Sequence, residues 1–175
     1  MTSKKKQLGF TLIELLTAAS VFSILLVIIS AVFVKLLTIS KRDFAIQKVH
    51  ENSLFILESM AKEIRVSKIK TAPGCSSSLS IVHPTNGCID YSLDSGKVTK
   101  SVKPLLCTDP AATVVLSSFD ISFSKLNFCV KGSPTNPINP EQTRVTIITT
   151  VTSNEETGLQ PTYLQTTVSS RDISE

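Results

Sequence analysis

The chain has no tryptophan, only two histidines, and no glycine or proline between residues 10 and 72. Each absence excludes something. There is no tryptophan to stack on bases, and no lysine and arginine cluster on one face that would mark a nucleic-acid footprint is visible. No HExxH, GxxxxGK or GxSxG motif occurs, so the common metalloprotease, phosphate-binding and hydrolase signatures are missing. No pair among the four cysteines has CxxC spacing, which argues against a structural zinc site. A run of more than sixty residues without a helix breaker is unusual for a globular domain. Helical throughout, it would span roughly 90 Å at 1.5 Å per residue. Residues 15–34 also lack any charge, and Ser and Thr are their only polar interruptions. Twenty such residues match a hydrocarbon core about 30 Å thick.

What is present is unevenly placed. All eight prolines fall at position 73 or later, and five of the six glycines at 74 or later. That shift marks a helix followed by a β-rich part. The net charge of +4 is concentrated at Lys4, Lys5 and Lys6. Removing residues 1–9 leaves 15 basic against 14 acidic side chains, or +1, and residues 74–175 hold 7 against 9, or −2.

After Lys35 the helical pattern becomes amphipathic. Ile46, Val49, Ser53, Leu57, Met60 and Ile64 recur at spacings of three and four, and Glu58 and Lys62 form an outward i, i+4 pair. Pro73-Gly74 is expected to end the helix. Short strands are expected at 79–83, 88–93, 98–102, 113–116, 119–130, 144–151 and 163–168, with Phe119, Ile121 and Phe123 on one half-buried face. Asn86-Gly87 and Asp94-Ser95-Gly96 read as turns. Residues 132–140, with three prolines, read as a surface loop, and Gly158 and Pro161 mark the last one. The expected fold class is α+β: a long N-terminal helix, membrane-spanning in its first half and amphipathic in its second, packed on a C-terminal antiparallel sheet.

The N-terminal residues are the most informative. A short basic peptide precedes the apolar run, which favours an N-inside, C-outside single pass. An ordinary secretory signal would have a shorter apolar region ending in small residues. Here Ala18-Ala19-Ser20 sit mid-run. A plain signal anchor leaves Glu14 unexplained, because a carboxylate in a membrane helix costs a few kcal/mol even on mild scales and is usually paired. Cleavage after Gly9 would give Phe10 a new α-amino group. Glu14 lies four residues, roughly 6 Å, along the helix from it. Its natural partner is that ammonium or a neighbour's.

At Gly9-Phe10-Thr11-Leu12-Ile13-Glu14-Leu15-Leu16 the chain resembles the prepilin leader of type IV pilins and type II secretion pseudopilins. The resemblance implies cleavage between Gly9 and Phe10 by a prepilin peptidase, N-methylation of Phe10, and an assembly role for Glu14 against an adjacent subunit's N-terminus. It implies membrane lipid, an inner-membrane assembly platform and other pilin or pseudopilin subunits as partners, with no cofactor. Residues 58–65 and 164–171 resemble, more loosely, the helix end and closing strand of minor pilins and J-type pseudopilins. Many major pilins close a loop near the chain end with a disulfide, whereas the last cysteine here is Cys129. That favours a minor pilin or a pseudopilin of a secretion or DNA-uptake system. The domains expected are a leader over 1–9, a membrane or filament-core helix over 10–36, its amphipathic half over 37–73, and a globular part over 74–175. The subunit is expected first in the cytoplasmic membrane, then in a surface or periplasmic filament.

If the globular part is exported, two disulfides are expected, Cys75 with Cys88 and Cys107 with Cys129 being favoured among three connectivities. No catalytic site is expected. His50 lies on the helix and His83 ends a strand. The SxxK spacings Ser59 to Lys62 and Ser122 to Lys125 lack the supporting Ser-Asp-Asn and Lys-Thr-Gly elements. Asp90, Asp94 and Asp109 lack the dense spacing of a calcium loop. The rival from another class is a signal-anchored surface enzyme or binding protein.

Overall fold

The computed structural model describes residues 9–104, 107–108, 110–132, 142–154 and 160–171. The leader's Lys4, Lys5 and Lys6, most of the 132–140 loop, Gly158 and Asp109 lie outside them. The chain forms two compact units, Met1–Asp43 and Phe44–Glu175. Helix α1 spans Leu12–Val66. In the first unit its side chains are exposed throughout.

In the second unit α1 carries one buried stripe: Ala45, Val49, Ser53, Ile56, Leu57, Met60 and Ile64. The i, i+3, i+4 spacing places these on a single face. Val49, Ile56, Leu57, Met60 and Ile64 join one apolar cluster with the strands. Full burial of a side chain such as Met60 or Ile64 contributes about 1.5–3 kcal/mol. Ile46, expected on this stripe, is 40 % exposed, and Ala45 takes the buried place beside it.

The helix ends at Val66 rather than near Pro73-Gly74, because the next residues are claimed by a sheet. Strand β1, Lys68–Ile69, pairs with Val82 and Ile81. The carbonyls around the helix end find both local and distant donors. Arg171 N–H donates to the Arg65 carbonyl at 2.8 Å. Ser170 Oγ donates to the Ser67 carbonyl, and Ser67 Oγ to that of Glu63.

The remaining strands are β2 (Gly74–Ser76), β3 (Leu79–His83), β4 (Gly87–Asp94), β5 (Lys97–Lys103), β6 (Ala112–Val115), β7 (Ile121–Lys131), β8 (Arg144–Ser153) and β9 (Thr162–Ser169). They build two antiparallel sheets instead of one: β1-β3-β4-β5-β6 and β2-β7-β8-β9. The segment 74–76 was not expected as a strand; it pairs with Val130, Cys129 and Phe128 and opens the second sheet. In β7 a bulge between Phe123 and Lys125 shifts the register. It lets Ile121 and Phe123 face the core before it, and Leu126, Phe128 and Val130 after it. Phe119 does not share that face. It lies in the turn before β7, 91 % exposed. Asn154 Nδ2 donates to its carbonyl, and the Lys97 ammonium donates to the carbonyls of Ser118 and Ile121.

The disulfides join Cys75 to Cys129 and Cys88 to Cys107. This corrects the favoured pairing. Cys75 lies directly opposite Cys129 in the β2–β7 ladder, a relation fixed by long-range pairing and invisible to sequence distance. Cys88 lies opposite Lys103 at the end of β5, from which the chain continues to Cys107.

Candidate functional site at the start of the long helix

The helix begins on a reciprocal cap. Thr11 is the residue before the first helical position and Glu14 is the third residue inside. The Glu14 N–H donates to Thr11 Oγ1 at 3.4 Å. Glu14 Oε2 in turn accepts from the Thr11 N–H at 3.5 Å and the Thr11 hydroxyl at 3.4 Å. This is the T-x-x-E capping box, which satisfies amides the helix start would otherwise leave open. The sequence reading missed it, although the Thr11 to Glu14 spacing was the signal. Glu14 also suits the positive end of the helix dipole.

Between Glu14 and Val34 every hydroxyl of the helix is bonded back to a backbone carbonyl. Thr17 Oγ1 donates to the Glu14 carbonyl, Ser20 Oγ to Thr17, Ser23 Oγ to Ala19 and Ser30 Oγ to Leu26, all between 2.8 and 3.0 Å. In a medium without water, such back-bonding removes the cost of carrying a hydroxyl. The helix is long and apolar enough to cross a membrane, and none of its most apolar window is buried. Glu14 is therefore the one charge in the described residues from Gly9 to Val34, and no lysine or arginine among the described residues pairs with it.

Gly9 and Phe10 precede the cap, both exposed, Phe10 by 85 %. A Cβ added at Gly9 would meet nothing within 4 Å. The fold does not ask for glycine there.

The other singled-out residues that the structure describes lie in the second unit. His50 is exposed on α1. His83 Nδ1 accepts the N–H groups of Thr85 at 3.3 Å and Asn86 at 3.2 Å, holding the β3–β4 turn. Lys62 and Lys125 point to solvent, the latter beside the bulge. Asp90 accepts hydrogen bonds from Ser80 and from Lys103 at 2.9 Å. Burial raises its carboxyl, but these two donors outweigh burial and hold it below the usual value. Asp94 accepts from Ser95 in its turn. Among the described residues no group of three or more His, Cys, Asp or Glu is placed to hold a metal ion.

One cluster of polar contacts joins α1 to the first sheet. Glu63 accepts from the hydroxyl of the fully buried Tyr91 and pairs with Lys100 at 2.5 Å. Burial, then the hydrogen bond and charge of Glu63, push the Tyr91 hydroxyl well above the ordinary tyrosine value.

Residues 4–30 match the family model of the prokaryotic N-terminal methylation motif. No curated protein and no solved structure matches the chain. The motif is the prepilin leader. Together with the long apolar helix behind it, this motif fits a type IV pilin-like protein, and both features fit anchoring in a membrane.

Proposed function

We propose that this type IV pilin-like chain is a minor pilin: a structural subunit cut between Gly9 and Phe10, methylated on Phe10, and assembled through its N-terminal helix into a filament. The observation that carries the reading is a methylation motif at 4–30 running into an apolar helix whose first half bears one carboxylate, Glu14. Cleavage would place the new α-ammonium next to the Thr11–Glu14 cap. Glu14 Oε2 is already engaged there by Thr11. Its other oxygen is left for an ammonium, its own or that of an adjacent subunit. Against the bilayer the lone charge is costly. Between packed helices, paired, it orients one subunit on the next.

Gly9 supports the same reading. Nothing in the fold excludes a side chain there, so the demand for glycine belongs to a partner that grips the chain, the peptidase. The two disulfides support a C-terminal part outside the cytoplasm, since such bonds persist in oxidising compartments. The chain is not an enzyme on this reading. A pseudopilin of a secretion or DNA-uptake system is the second reading, favoured over a major pilin by Cys129, which bonds Cys75 and leaves no disulfide-closed loop at the chain end.

The test separates charge from cap. Glu14→Gln keeps an oxygen acceptor for the cap and removes the charge. Membrane insertion and cleavage should persist, while recovery of the subunit in sheared filaments should fall at least about tenfold, because an ammonium buried without its partner costs several kcal/mol. Wild-type recovery of the mutant would contradict the assembly role.

A further inference from the structure

All four phenylalanines of α1 stand eleven residues apart, at Phe22, Phe33, Phe44 and Phe55. Eleven residues make three helical turns plus about 20°, or roughly 16.5 Å of rise, so residues at that interval line one side of a helix. In the first unit Phe22 and Phe33 form such a row, 62 % and 59 % exposed. Phe44 and Phe55 keep the interval in the second unit, where both are also exposed.

The same interval governs the surface beside the row. One groove of about 520 Å³ runs along Thr17, Ala18, Val21, Phe22 and Leu25, with Glu14 at its N-terminal end. A second, of about 250 Å³, runs along Ile28, Ile29, Val32, Phe33 and Leu36. Each of these five residues lies eleven beyond its counterpart in the first groove. The first is the wider because Thr17 and Ala18 stand where the second has two isoleucines. Phenylalanine stands at one edge of each groove, so ridge and hollow lie side by side on one face. The apolar run thus carries two knobs and two hollows with a single spacing.

We propose that this face docks a second copy of the chain, as a parallel, in-register dimer about a two-fold axis running along the helices. The inference rests on the reading of α1 as a membrane anchor and adds a partner to it. The two-fold rotation sets the ridge of each copy over the groove of the other. Phe22 enters the second copy's groove at Ala18, and Phe33 the groove at Ile29, reciprocally. The occupant follows from spacing and direction. Filling both grooves takes two bulky side chains about 16.5 Å apart on one helix face, and this chain presents them. On the anchor reading every copy enters the membrane in the same direction and to the same depth, which brings equal residues level. Residues 15–34 carry no charge to repel a like helix. Their hydroxyls are bonded back to their own backbone, so association rests on close packing, as between helices in lipid. A two-fold interface closes at two copies.

The experiment uses the full chain in its native membrane. Ala18 lies at the centre of this face, between Phe22 and Val21 around the helix. Ala18→Cys should therefore form a disulfide-linked dimer on oxidation. Ala31→Cys, two and a half turns from Phe22 and so on the opposite side, should not. The four natural cysteines are paired within the chain and do not compete. In detergent micelles wild type should sediment as a dimer. Phe22→Ala removes a knob and Ala18→Ile fills a hollow, and each should dimerise at least about tenfold more weakly. Ala31→Ile, the same substitution on the far side, should behave as wild type. Ala18→Ile separates shape from hydrophobicity, since added apolar surface alone would not weaken association. A monomeric wild type, no link through Ala18→Cys, equal linking through Ala31→Cys, or undiminished dimerisation of Ala18→Ile would each overturn the pairing. Membrane insertion and cleavage after Gly9 are read on the same samples. Loss of the dimer with normal insertion and cleavage sinks this inference alone, whereas wild type recovered outside the membrane sinks the anchor reading and this inference with it.

Discussion

Removing a side chain's charge and removing its hydrogen bond are different operations, and at the residue scale the N-terminal site separates them. Thr11 serves the helix start; Glu14 serves the start and also carries a charge that no lysine or arginine among the described residues pairs. Gly9 serves neither, since a Cβ there meets nothing. Gly9→Val should therefore leave the globular part's melting temperature unchanged while the chain persists as precursor, nine residues longer than the processed form. Mass spectrometry of membrane-extracted protein reads this directly, and normal processing of the variant would remove the leader assignment.

Tyr91 gives a second residue-scale prediction. Its hydroxyl is raised in the folded chain by burial and by Glu63, above an ordinary value of 10.0. A group whose folded value is raised contributes stability that is intact below its unfolded value and lost as pH rises beyond it. Stability should thus fall steeply above about pH 10, and Tyr91→Phe should flatten that fall while weakening the protein near neutrality through the lost bond to Glu63. Parallel denaturation curves for the two proteins above pH 10 would contradict the role given to Tyr91.

At the element scale the two disulfides divide the labour between the sheets. Cys75 with Cys129 closes 54 residues and ties β2 to β7, while Cys88 with Cys107 closes 19, so the chain-entropy contributions are about 4 and about 3 kcal/mol. Replacing Cys75 and Cys129 by serine should therefore destabilise more than replacing Cys88 and Cys107. Non-reducing peptide mapping should recover these two links and not Cys75 with Cys88. Equal losses, or the alternative peptides, would contradict the register of β2 on β7.

The same element shows where sequence reading succeeds and fails. Strand β3 was legible to the residue, because Leu79, Ile81 and their neighbours alternate between clear turn signals. Six further strands were legible to within two residues at either end. Strands β1 and β2 were not, being two and three residues whose only reason to be strands is the distant partner they meet. Phe119 was misplaced because alternation does not stop at a turn, and only the clamp by Asn154 and Lys97 shows where β7 begins. The helix outran its true end because nothing in residues 67–72 breaks a helix. The capture of Lys68 and Ile69 by the sheet does. Of the candidate site, the motif over residues 4–30 was legible from local order, and the cap between Thr11 and Glu14 was equally local yet overlooked.

At the scale of the whole molecule, one helix answers to two surroundings. Its second half buries Met60 and Ile64 in a core of strands, and its first half buries nothing within its own chain. Every hydroxyl of residues 15–34 is satisfied internally, which suits lipid or a bundle of like helices. That division gives sense to the proposed cut after Gly9 and to an acid one turn beyond it. The measurement that tests this most directly is the mass of the N-terminal peptide of the protein taken from its native membrane or filament. The account predicts a peptide beginning at Phe10 and bearing one added methyl group; a peptide beginning at Met1 would contradict it.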